Sequence, residues 1–418
     1  MVRGEEALMT TDGPSPARRR QGIVVAALTA TAFFSSDAPG QVPDSTLWNV
    51  GPYGVTVLAV ARSENTLYVG GNFRTVGPST GAGVPVDLET GGVRGPYPRV
   101  GGAPEVVVSD GAGGWFIGGR FAGVGGLRRW NLAHIRADGS VDPWAPDPDG
   151  GILSLTLSGN ILYVGGRFNR IAGEARGHLA AFDATTGQLT AWAPEANSDV
   201  WAILVHGDTI YVGGGFGRIG GESRACIAAL DAKTGRATAW NPGADWIVGS
   251  LALDGRILYA GGGFYNIGGR FHRFLAALDL DSDTASTWDM GIALRPDNFY
   301  YPPGISDLEI SGNTLYVGGR FTEIGAQRRN GLAAIDLPTR TVTPWAPQVE
   351  AVSSVKPAMI GDLAVRGTTV YACGLFRSLG GRAMSDDGSV GAVDTETGLA
   401  TGWDPRPNGG VGALALGD

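Results

Sequence analysis

The feature that most limits how this chain can fold is a repeat. The segment Leu162-Tyr163-Val164-Gly165-Gly166-Arg167-Phe168 returns from end to end, and its phenylalanine stands at 73, 121, 168, 216, 264, 321 and 376. Successive copies are 48, 47, 48, 48, 57 and 55 residues apart. A tryptophan at 144, 192, 240, 288, 345 and 403 keeps the same register, with Tyr97 in the corresponding place of the first copy. A period near 48 marks a repeat architecture, in which each unit hides apolar surface against its neighbours. The copies are numbered repeats 1 to 7 by those phenylalanines. They make 46–418 one expected domain, preceded by a segment 1–45 that matches no full repeat.

Within a copy, four apolar runs alternate with turn signals. In repeat 3, Ile152-Leu153-Ser154-Leu155 ends at Ser158-Gly159-Asn160, a tight hairpin, and 161–166 is the second run. Arg176 to Asp183 is the third, closed by Ala184-Thr185-Thr186-Gly187, and Gln188 to Trp192 is the fourth. Turns this short join antiparallel neighbours. Glycine fills 69 of 418 positions without collagen periodicity, as many tight turns require. The expected fold is all-β, a β-propeller of four-stranded antiparallel blades. A β-helix fits less well, because its coils are shorter and pair in parallel. Seven blades are expected, although first-strand patterns number eight, from 55–58 to 411–414. The alternative is eight blades, one split between the termini, with Trp48 in its outer strand.

The unit Tyr211-Val212-Gly213-Gly214-Gly215-Phe216-Gly217-Arg218-Ile219-Gly220-Gly221, with Arg224, Ala228-Ala229-Leu230-Asp231, Thr234-Gly235 and Trp240-Asn241-Pro242, resembles the delta-60 repeat of bacterial surface and secreted propellers. Its second half, Ala229 to Gly235 followed by Trp240, is also similar to the tryptophan-docking motif of quinoprotein-type propellers. The resemblance spans roughly 50–418 and implies the propeller fold. It implies no particular activity, and no adjacent cysteine pair accompanies it to suggest a quinone enzyme.

Residues present in every copy have structural explanations. The glycine pair lets a strand bend or a neighbour approach closely. Asp183 and Gly187 fit a tight turn, the carboxylate accepting backbone N–H groups and the glycine supplying a positive φ. Trp192 can lie against the next blade. Function is better sought where copies differ, on the face carrying the segments after Trp-x-Pro and those from Phe to Arg. Nine extra residues enter between Trp288 and Phe321, and seven between Trp345 and Phe376.

Phe299, Tyr300 and Tyr301 lie in the first insertion and are the sharpest binding candidates, suited to sugar faces or protein hot spots. Trp201 is the next. Other copies place Gly249, Ser306 and Gly361 there, small residues that a crowded axis would demand, so Trp201 lines or plugs the channel mouth. Trp246 can join it. Arg129, Arg176, Arg224 and Arg329 stand at matching positions, and Asp149, Asp199, Asp245 and Glu350 in the post-Trp connections. They are expected to pair between blades; the sharper readings are an arginine ring for a uronate and a carboxylate ring for Ca²⁺, the latter without a contiguous calcium loop.

The net charge of −8 argues against a nucleic-acid partner. No run of about eighteen apolar residues interrupts the repeats, so no membrane span is expected there. Arg18-Arg19-Arg20 followed by the apolar stretch 22–34 has the layout of a secretory signal, with a degenerate partial repeat as the rival. Cys226 and Cys373 fall in non-adjacent copies and read as free thiols. His134, His178, His206 and His272 are scattered without a nucleophile, zinc or phosphate-loop motif. The sequence therefore reads as a monomeric secreted, periplasmic or cell-surface binding module for a glycan or protein, with no cofactor implied. A polysaccharide lyase or glycoside hydrolase using the same face is the alternative.

Overall fold

The computed structural model describes residues 48–50, 56–63, 66–72, 76–78, 82–94, 97–294, 304–352, 357–384, 389–405, 407 and 411–417. The segment 1–45 and the aromatic run Phe299, Tyr300 and Tyr301 lie outside the described residues, together with the readings placed on them. Among the described residues there are strands and turns and no helix, so the all-β expectation stands.

Repeat 3 shows the unit. Ile152–Ser158, Ile161–Gly166 and Leu179–Asp183 pair antiparallel in chain order. Repeats 4, 5 and 7 build the same three-stranded sheet, beginning at Val200–His206, Val248–Asp254 and Met359–Arg366. The fourth run is shorter than expected. It forms an isolated bridge, Phe182↔Leu189, Leu230↔Ala237, Leu278↔Ala285 or Val393↔Ala400, and becomes a strand in repeat 6 at Thr341–Val342. After one further bond, Thr190 N–H to Ala181 O at 2.9 Å, the chain leaves the sheet so that Trp192 can reach the next repeat. Pro194 then offers no N–H to continue a ladder.

The core lies in the seams. Tyr163, Leu179, Ala181 and Trp192 of repeat 3 pack against Val200, Ile203, Val212 and Phe216 of repeat 4. Each tryptophan donates its indole N–H to a carbonyl of the following repeat: Trp144 to Gly187 (2.8 Å), Trp192 to Asp231 (3.2 Å), Trp240 to Asp279 (3.1 Å), Trp288 to Arg340 (3.0 Å) and Trp345 to Asp394 (2.9 Å). An aromatic ring of its own repeat meets it edge-on, Phe116 at Trp144 and a tyrosine at the others, as Tyr211 meets Trp240 at 5.3 Å. The receiving turn is the expected one: Asp183 Oδ1 accepts the N–H groups of Thr185 and Thr186 at 3.0 and 2.7 Å, and Gly187 has φ 70°.

The glycine pair answers two separate contacts. A Cβ on Gly165 would sit 2.6 Å from Val200 of the next repeat, and one on Gly166 would sit 2.3 Å from Gly151 O across its own bulged ladder. The inner, bulged position of the first strand is different. A Cβ on Gly249 would be 3.9 Å from its nearest neighbour and one on Gly361 3.7 Å, so a crowded axis does not enforce small residues there.

The last repeat meets the first by the same contact. Trp403 donates to Asp87 O at 2.8 Å, and Tyr371 to Leu88 O at 3.3 Å. Val411, Leu414 and Leu416 pack with Ala364, Tyr371, Cys373, Val390 and Ala392, and with Val86 and Leu88. They fill the role that Val200 and Ile203 have in repeat 4.

Candidate ligand groove

Between the second and third strands of most repeats stands a short hairpin that the strand pattern did not reveal: Arg170–Ile171 with Glu174–Ala175, Arg218–Ile219 with Glu222–Ser223, Asn266–Ile267 with Arg270–Phe271, Glu323–Ile324 with Gln327–Arg328. The segment after Trp-x-Pro bonds to the hairpin of the next repeat, as Asp149 N–H to Arg170 O and Asp245 N–H to Asn266 O, both 3.0 Å. The two kinds of loop therefore share one face.

The arginine row does not pair with the carboxylates. A guanidinium fork fits backbone carbonyls, and here it spans from its own hairpin to the fourth run. Arg176 donates to Ala175 O (2.7 Å) and Thr190 O (3.3 Å), and Arg224 to Ser223 O (2.8 Å) and Thr238 O (2.6 Å). Arg129 bonds Arg128 O and Asp142 O in the same way. Arg329 donates to Arg328 O, Thr343 O, Trp345 O and Gln327 Oε1; burial lowers its pKa from the ordinary value. These side chains brace the face and leave no open guanidinium ring.

The carboxylates are also occupied. Asp149 caps a hairpin through Asn169 and Arg170 N–H, at 2.8 and 2.9 Å. Asp245 does so through Tyr265 N–H at 2.8 Å; burial pushes its carboxyl up, but the bonds from Asn266 and Tyr265 hold it below the usual range. Asp199 pairs with Arg167 (3.0 Å) and Glu350 with Arg377 (3.1 Å). Among the described residues no group of three or more His, Cys, Asp or Glu side chains is placed to hold a metal ion.

The seam between repeats 6 and 7 departs from this pattern. In the seams between repeats 3 and 4 and between 4 and 5, a backbone bond of 2.9 Å, Ala196 N–H to Gly177 O and Ala244 N–H to Ala225 O, holds the connection against the preceding repeat. At the corresponding place Asn330 Nδ2 donates to Val349 O at 2.6 Å. An open groove of about 600 Å³ lies here, lined by Thr322, Glu323, Arg328, Arg329 and Asn330 on one side and by 346–350 on the other. Arg328 is exposed and has no ion-pair partner among the described residues.

The described start of the first insertion reaches the lining of this groove. Ala293, in the first, bridges Glu323 and accepts Thr322 N–H at 2.9 Å. The second begins beyond Glu350, which forms the groove's other edge. Of the residues singled out by comparing the copies, Arg329 lines this groove. That comparison passes over Gln348, and over Asn330, which departs from Gly177 and Ala225 at the matching position.

The two tryptophans separate. Trp201 is half-buried beneath the Arg167 guanidinium, 5.1 Å from the ring centre, and the Arg167–Asp199 pair fixes that guanidinium. Trp246 is 60% exposed, with Tyr265 at 43% and Phe271 at 55% on the hairpin of the same repeat. His178 bonds Gly166 O and His272 is buried against Ser286 O, so neither enters the groove.

Residues 113–143 match a family described as a domain of unknown function (DUF5122) beta-propeller. No curated protein sequence matches the chain. Similar solved structures include the computationally designed Ika8 protein (15% identity, TM-score 0.40, 75% of this chain and 91% of that one) and a chain of the Mitotic Checkpoint Complex (15%, 0.48, 75% and 83%). A third is the extracellular domain of the one-component system BT4673 of B. thetaiotaomicron (14%, 0.43, 78% of this chain and 38% of that one). With TM-scores below 0.5, none bears on function. The class that fold and family match define is a repeat protein of β-propeller type.

Proposed function

We propose that the chain is a non-catalytic binding propeller, secreted or carried at the cell surface, that holds a glycan or protein ligand on its loop face. The observation that carries this reading is the open groove at the seam between repeats 6 and 7, where Ala293, in the described part of the first insertion, bonds to Thr322 and bridges Glu323 of the lining. Loops that break a repeat are where a rigid repeat scaffold places its function. The lining supports a polar ligand: Thr322, Arg328, Asn330 and Gln348 offer donors and acceptors. Seven blades fit best, because Trp403 docks on repeat 1 as each earlier tryptophan docks on its successor. A glycan array with the intact chain and with Arg328→Ala and a Phe299, Tyr300, Tyr301→Ser variant tests the reading. Retained folding with loss of the captured glycan supports it, and product release from the bound polysaccharide would move it to an enzyme.

A further inference from the structure

Around the inner edge of the later repeats the first strands are tied by side chains. Ser250 Oγ accepts Leu308 N–H at 3.0 Å and lies 3.2 Å from Asp307 Oδ1. Asp307 Oδ2 accepts Leu363 N–H at 2.9 Å, and Asp362 Oδ2 accepts Leu414 N–H at 2.6 Å. Each carboxyl thus holds the strand that follows it, and the last strand held is the C-terminal segment 411–417. Leu363 N–H also donates to Asp362 Oδ1 at 3.0 Å, so the two carboxyls meet on one donor, where a single proton held between them relieves their like charge. Repeats 3, 4 and 5 place Ser154, Ala202 and Ser250 at this position, so the acid pair is confined to the strands next to the closure. Asp362 stands opposite Cys373, which replaces the first glycine of the pair and is fully buried among the residues covered by Val411, Leu414 and Leu416.

We propose that Asp307 and Asp362 form a proton-operated latch: their shared proton keeps the C-terminal segment seated over Cys373, and loss of that proton releases it. Two ionised carboxylates in contact and partly removed from water repel each other and pull apart the bonds they accept. The groups facing the pair offer little relief. Ser250 is neutral, Glu309 on the Asp307 strand adds another acid, the Cys373 thiol is neutral, and Arg366 is turned to the end of the segment, donating to Gly417 O at 2.8 Å.

Burial pushes both carboxyls above the ordinary range, Asp362 further because the Asp307 charge adds to it. Burial and then the Asp307 charge push Glu309 up to about 7. The closed state therefore binds protons more tightly than the open one. Closure is at full strength below the ordinary carboxylate range near pH ~4 and weakens as pH rises through the folded-state values, about 7 for Glu309.

Cys373 is a built-in reporter. In a Cys226→Ser chain, its alkylation rate is divided by that of the same chain unfolded in urea at each pH, which removes the thiolate's own titration. This protection is expected to fall at least about tenfold between roughly pH 5 and roughly pH 9. Asp362→Asn still accepts Leu414 N–H and cannot ionise, so its protection should stay within about twofold over the same range. A flat profile in the Cys226→Ser chain, or an undiminished slope in Asp362→Asn, overturns the latch. Should Asp362→Asn not fold, hydrogen exchange of 411–416 in the unsubstituted chain decides. Opening that increases with pH after correction for the chemical exchange rate supports the latch, and pH-independent opening overturns it.

Discussion

At the residue scale, the molecule is held by one contact made again and again. Trp240 is 8% exposed, bonded to Asp279 O and met edge-on by Tyr211. Trp240→Phe should lose the bond and cost about 1 kcal/mol. Trp240→Ala should cost roughly 3–5 kcal/mol through the cavity it opens in a seam. Urea unfolding followed by circular dichroism checks both, and equal costs would mean that the indole N–H contributes nothing. Glu309 is half-buried on the inner strand of repeat 6, and burial raises its carboxyl to about 7. Its folded value lies above the unfolded one, so stability is lost as pH rises from the unfolded value near ~4.5 towards ~7, by roughly 3 kcal/mol if the whole shift is expressed. Glu309→Gln should flatten that part of the stability–pH profile. An unchanged profile would assign the pH dependence to other groups.

At the scale of the element, the groove separates two neighbouring arginines. Arg328 is exposed at the end of the hairpin's second strand, and Arg328→Ala should weaken ligand binding while stability stays within about 0.5 kcal/mol. Arg329 braces three carbonyls and Gln327, and Arg329→Ala should cost roughly 1–3 kcal/mol by leaving partly buried acceptors unmatched. Thermal unfolding of the two variants side by side makes the comparison. This contrast also shows what the sequence could not convey. The strands, the glycine pair, Asp183 and the tryptophans were legible because each obeys a constraint that every copy repeats. The arginine row was equally periodic, yet its partners are backbone carbonyls, which carry no residue identity for spacing to detect. The short hairpins were hidden because a pair such as Arg170–Ile171 is too short to show alternation. Tyr265 and Phe271 escaped notice for the same reason, as single aromatics on such a hairpin. Asp307 and Asp362 were visible as acids in apolar strands, but their meeting depends on the next strand's position and not on their own repeat.

At the scale of the repeat domain, the unequal count of first strands becomes a question of occupancy. Eight candidate inner strands compete for the places that seven third-strand patterns define, and the structure seats 411–416 against the apolar residues of repeat 7 and against Val86 and Leu88 of repeat 1. The strand Thr56–Ser63 is paired with Thr66–Asn72 and carries the competing pattern Val57-Leu58-Ala59-Val60. If the C-terminal segment is the working inner strand, deleting 411–418 removes the burial of Val411, Leu414 and Leu416 and uncovers Tyr371 and Cys373. Burial of three such side chains contributes on the order of 1.5 kcal/mol or more apiece. The truncated chain should therefore lose several degrees of thermal midpoint, expose Cys373 to alkylation and associate as concentration rises, because uncovered apolar surface seeks a partner. If Thr56–Ser63 can take the vacated place, the midpoint should instead recover and the chain remain monomeric in light scattering. Replacing Val57 and Leu58 by Asp in the truncated chain then distinguishes rescue by that strand from a segment that never contributed. Loss of the recovered midpoint shows rescue, and no further loss shows that the C-terminal segment is dispensable to closure.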